Sequence, residues 1–65
     1  MIRELIERAA YNNLCSIFPD KAHQVKRLVH NGEKPRMIAE WLGNRQAIHW
    51  SIILLAANHI SRELK

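Results

Sequence analysis

Apolar positions recur at helical spacing in four runs along this chain, and nowhere do they alternate with polar residues as a strand requires. The first run, residues 2–17, sets Ile2, Leu5, Ile6, Ala9, Leu14 and Ile17 on one side and Arg3, Glu4, Glu7 and Arg8 on the other. It predicts an amphipathic helix that packs through its apolar side. Asn13 falls close to that stripe, where its amide can bond neighbouring backbone. Phe18-Pro19-Asp20 ends this helix, because the residue before a proline resists helical backbone angles. Pro19 and Asp20 then suit the first turn of a second helix, where the missing N–H costs little and a carboxylate meets the positive dipole end. Ala22, Val25, Leu28 and Val29 form its buried stripe, and Asn31-Gly32 closes it.

Pro35 opens a short third helix with Ile38, Trp41 and Leu42 facing inward and Met37 at the flank. Gly43 is its C-cap and Asn44 the N-cap of a fourth helix, so the turn between them is about two residues long. The fourth helix is expected over residues 45–64, about 30 Å. It contains the longest apolar run of the chain, 47–57, with His49 and Ser51 as its only polar members. Two apolar seams share this helix: Ile48, Ile52, Leu55, Ala56 and Ile60, and then Trp50, Ile53, Leu54, Ala57 and Leu64. A helix apolar on so many sides needs cover on more than one. The expected fold is therefore all-α, a single helical domain over 1–65 with four helices, the third short and the C-terminal one long and hydrophobic.

Length sharpens that picture. Sixty-five residues supply one small core, and chains of this size usually need a disulfide, a metal or a partner chain besides. Cys15 is the only cysteine, so no internal disulfide forms, and a lone thiol suits a reducing compartment. The histidines do not show metal spacing: His23 and His30 stand seven apart, His49 and His59 ten apart. No metal and no cofactor is expected. Pairing with a second chain is the remaining support, and the second seam of the fourth helix is where it is expected. Trp50, Ile53, Leu54 and Ala57 are the predicted protein interface, with Arg45 and His49 at its polar end. An Arg at a helix N-terminus faces the positive dipole end, so Arg45 is expected to pair with Glu40 or to grip an acidic partner.

Charge adds a second theme. The net charge is +4, and residues 21–45 hold all of it: Lys21, Lys26, Arg27, Lys34, Arg36 and Arg45 against Glu33 and Glu40. Such a belt is a solvated face or a contact for nucleic acid or an acidic partner, through Lys26, Arg27, Lys34, Arg36, Arg45 and Gln46. The N-terminus has no signal-peptide pattern, and the run 47–57 is too short to span a bilayer, so a cytoplasmic location without membrane contact is expected. No Gly-rich phosphate loop or nucleophile elbow occurs, which argues against an enzyme and a small-molecule substrate.

Two resemblances bear on function. Lys34-Pro35-Arg36-Met37-Ile38-Ala39-Glu40-Trp41-Leu42-Gly43 resembles the first half of a helix-turn-helix, with Ala39 in the helix, Leu42 before the turn and Gly43 in it. Arg45, Gln46 and His49 would then open a recognition helix able to read base edges. From Trp50 to Ala57 that helix has almost no polar face to lay in a groove, so only its first turn could reach bases. The segment 37–51 is similar to the signature of an uncharacterised family of helical bacterial proteins, in which an apolar helix end and a short turn precede Arg-Glu-Ala-Val-Trp-Trp-Ala. Leu42, Arg45, Ala47, Ile48 and Trp50 match; Gln46 replaces the acidic residue and His49 the first Trp, and Asn44 sits near an expected Pro-Arg. That family is associated with type VI secretion gene neighbourhoods and has no established biochemical activity. The resemblance covers about a quarter of the chain and implies a helix hairpin that binds other proteins. The function expected is a non-enzymatic protein–protein interaction module, a homodimer or the partner of a larger protein; the alternative is a dimeric helix-turn-helix regulator that binds DNA.

Overall fold

The computed structural model describes residues 2–43 and 47–64, and the side chains of all of these except 47–49. The expected N-cap Asn44, and with it Arg45 and Gln46, lies outside the described residues. Four helices follow one another: α1 (Ile2–Ile17), α2 (Pro19–His30), α3 (Pro35–Leu42) and α4 (Ala47–Glu63). The described residues contain no strand. The all-α class, the short third helix and the long C-terminal helix are as expected.

The punctuation acts as the residue types dictate. Phe18 is the whole connection between α1 and α2. Its N–H donates to Leu14 O at 2.8 Å, its carbonyl accepts from Ala22 N–H at 3.0 Å, and its backbone leaves the helical region at φ −131°, ψ 71°. Pro19 follows at the first helical position, where no N–H is needed. At the other end of α2, Gly32 N–H donates to Val29 O at 3.0 Å and Glu33 N–H to Leu28 O at 3.0 Å. That pair of bonds requires a left-handed residue, and Gly32 supplies it at φ +93°.

Gly43 serves differently. Its φ is −74°, and its N–H donates to Ala39 O at 2.7 Å. A Cβ there would stand 2.5 Å from Ala39 O and 2.6 Å from Trp50 Cα. Glycine is needed here for room: the backbone of α4 passes where a side chain would be.

The core is made of Leu14, Ala22, Val25, Val29, Ile38, Ala39, Ile53, Ala56, Ala57 and Ile60. Four of these are alanine, so the helices approach closely while burying little apolar surface per residue. α2 turns Ala22, Val25 and Val29 inward with Leu28 half-buried, as its spacing predicts.

Three sequence expectations need correction. First, α4 does not split into the two seams. Its inward stripe is Ile53, Ala56, Ala57 and Ile60, drawn from both, because positions i, i+3, i+4 and i+7 share a face. Second, Trp41 is 55% exposed. Ile38 and Ala39 set the inward face of α3, and Trp41 lies about 100° of helix rotation from its middle. Third, α1 is turned around. Leu14 is buried as expected, but Ile2, Leu5, Ile6 and Ile17 are exposed and Glu7 is wholly buried. Glu7 and Leu14 stand two turns apart on one face, and that face docks on α4.

Candidate interaction surface

α1 and α4 run antiparallel. Glu7 meets Arg62, Tyr11 meets His59, and Leu14 and Phe18 share a small hollow with Ile52 and Ile53. Arg62 Nε donates to Glu7 Oε1 at 2.7 Å. Glu7 Oε2 is buried without a hydrogen-bond partner. The carboxylate raises the pKa of the Arg62 guanidinium, through the hydrogen bond first and its negative charge second. A cleft of about 320 Å³ beside the pair is lined by Arg3, Glu7, Asn58, Ser61 and Arg62. Burying a carboxylate is costly unless its charge and lone pairs are matched, and here one oxygen is matched by a half-exposed partner. The inner face of α1 is thus polar at its N-terminal half and apolar only from Leu14.

The outer face is the reverse. Ile2, Leu5 and Ile6 are 74%, 66% and 50% exposed, Ala9 is exposed beside them, and Ile17 and Phe18 are exposed at the far end, past Asn12 and Asn13. Single exposed apolar residues are ordinary; here they cluster over two successive helical turns. Arg3, Glu4, Glu7 and Arg8 give α1 no net charge. Reasoning from sequence found this stripe but directed it at the core, because spacing reports which side of a helix is apolar and not which side is covered.

The interface expected on α4 is divided. Ile53 and Ala57 are buried within the chain, which puts them out of reach of any partner. Trp50 and Leu54 are half-buried at the margin of the core. Arg45 lies outside the described residues, as does the side chain of His49.

Of the basic belt, Lys26, Arg27, Lys34 and Arg36 are exposed. Lys26 lines the same two hollows as Tyr11, a residue given no role by the sequence reading. The Tyr11 ring lies 5.3 Å from that of His59, tilted by 34°. Its phenol pKa is raised, by the hydrogen bond with the Cys15 side chain above all and then by burial. The one available signal was register: Tyr11 lies four residues after Glu7 and three before Leu14, on the docked side of α1. Among the described residues no group of three His, Cys, Asp or Glu is placed to hold a metal ion, and no helix is long and apolar enough to cross a membrane. Compared with family models, with curated proteins and with solved structures, the chain has no match.

Proposed function

We propose that this chain is a non-enzymatic protein–protein interaction module that pairs with a second copy of itself through the outward face of α1. The observation that carries the reading is the exposed cluster Ile2, Leu5 and Ile6 on a helix whose inner face holds a buried glutamate. A second copy fits that face for two reasons. The stripe is apolar along the helix axis and therefore complementary to itself, and with Glu7 turned inward the exposed charges of α1 are Arg3, Glu4 and Arg8, so the repulsion between two copies is small. Most of the basic residues that would push copies apart lie on α2 and beyond. A protein-binding helical protein is also what the resemblance of residues 37–51 implies.

Magnitudes set the strength. Covering Ile2, Leu5, Ile6 and Ile17 on both copies is worth roughly 10 kcal/mol gross, given about 2 kcal/mol for a fully buried aliphatic side chain. Association costs at least about 4 kcal/mol. The remainder corresponds to a reversible dimer with a Kd of about tens of micromolar. Sedimentation over a concentration series tests this. The expected mass rises from 7.6 kDa towards twice that value, and Leu5→Glu holds it at the monomer with an unchanged circular-dichroism spectrum. A wild-type chain that stays monomeric at high concentration overturns the reading. So does a dimer that survives Leu5→Glu but is lost in Leu54→Asp, which would move the contact to α4.

A further inference from the structure

Half a turn around α1 from the apolar stripe, two hollows adjoin between α1, α2 and α4. One, of about 210 Å³, is lined by Tyr11, His23 and Lys26 among others; the next, of about 120 Å³, by Tyr11, Lys26, His30, His59 and Glu63. Tyr11 and Lys26 belong to both, so the hollows form one trough along α2. Its α2 wall carries one cation, Lys26, between His23 and His30 at three- and four-residue spacing, and exposed Arg27, which lines neither hollow, follows Lys26 in the chain. Its floor is aromatic, the Tyr11–His59 pair, with the Tyr11 phenol tied to Cys15. Glu63 at one end is the only carboxylate lining either hollow. α2 itself carries Lys21, Lys26 and Arg27 against Asp20.

A cation beside an aromatic floor is the arrangement that takes a single nucleic-acid strand: the cation meets a phosphate while a base packs on the rings. A base paired inside a duplex cannot reach a floor recessed between three helices, whereas an unstacked base can. An acidic peptide would satisfy the lysine and leave the aromatic pair unused. We propose that this trough binds single-stranded nucleic acid, with one base against Tyr11–His59 and the flanking phosphates on Lys26 and Arg27. Of the α1 stripe, Leu5 comes nearest to the trough, lining a neighbouring hollow with His59 and Glu63.

Fluorescence anisotropy with a labelled oligothymidylate of about 15 nucleotides tests it. With about two phosphates neutralised, affinity should fall about sevenfold between about 50 and 200 mM salt. Lys26→Gln, a change at an exposed position, should weaken binding several-fold and flatten the salt slope. Tyr11→Leu should weaken it about tenfold, while Tyr11→Phe, which keeps the ring, and Ile6→Glu on the far side of α1 should bind as wild type. Thermal melting of the Tyr11 variants separates lost binding from lost fold. The proposal is overturned if the oligonucleotide fails to bind at low salt, if a duplex binds equally well, if poly-glutamate competes as effectively at equal charge, or if Lys26→Gln has no effect.

Discussion

α1 and α2 are both amphipathic, both dock on α4 and are joined through one residue, yet they face opposite ways. α2 turns Val25 and Val29 into the core and its charges outward. α1 turns Glu7 inward and leaves Ile2, Leu5 and Ile6 in solvent. An apolar stripe therefore carries two meanings. On α2 it records burial within the chain; on α1 it records surface that the chain's own fold leaves uncovered. What separates them is the inner face: α2 meets α4 with Ala22, Val25 and Val29, whereas α1 meets it with an ion pair and a tyrosine as well as Leu14.

The comparison is broken most directly by placing one charge in each stripe. Val25→Asp buries an unmatched carboxylate at a site with no exposure and should cost about 4 kcal/mol or more, enough to remove the cooperative thermal transition of so small a chain. Ile6→Asp on α1 should change monomer stability by no more than about 0.5 kcal/mol, as surface substitutions do, while abolishing self-association. If both variants unfold alike, α1 buries its apolar side after all.

A smaller effect is expected at the inner face of α1. Glu7→Leu removes a buried carboxylate whose Oε2 has no partner and leaves Arg62 to solvent. Replacing buried ionic groups by apolar ones is often neutral or stabilising, so chemical denaturation should show stability unchanged or raised by about 1 kcal/mol. A clear loss would mean that the Glu7–Arg62 pair, rather than Leu14, sets the rotation of α1.

The smallest effect is spectroscopic. Tyr11 is the only tyrosine, so ultraviolet absorbance reads its ionisation directly. That ionisation should fall above the ordinary value of about 10, and Cys15→Ala should bring it down, since the Cys15 hydrogen bond is the leading cause of the shift. The folded chain holds the phenolic proton more tightly than the unfolded chain. The stability linked to it is therefore complete below about pH 10 and is lost as pH rises through the folded value. A Tyr11 that titrates at its ordinary pH would place it outside the docked face.

Much of the fold was legible in the residues. Pro19, Asn31-Gly32, Pro35 and Gly43 each mark a boundary, because proline and glycine constrain backbone locally and need no knowledge of the rest of the chain. The inward face of α2 was legible for a related reason: its apolar residues all fall on one side. The rotation of α1 was not, since its apolar side is larger than its docked side and one ion pair offsets the burial of Glu7. Nor was the division of α4, where every position from 52 to 57 is apolar and only three-dimensional contact selects Ile53, Ala56 and Ala57. Of the candidate interface, Trp50 and Leu54 keep some exposure while Ile53 and Ala57 keep none. The trough was the least legible, because Tyr11, Lys26 and His59 come from three helices and share no sequence pattern.

Phe18 has a mechanical consequence. It is the last residue bonded to α1 and the residue from which α2 starts, so there is no slack between the two helices. Rolling α1 about its axis to hide its apolar side would twist Pro19 and unwind the first turn of α2. The linkage leaves no loop between the two helices, so the rotation of α1 and the start of α2 are set together.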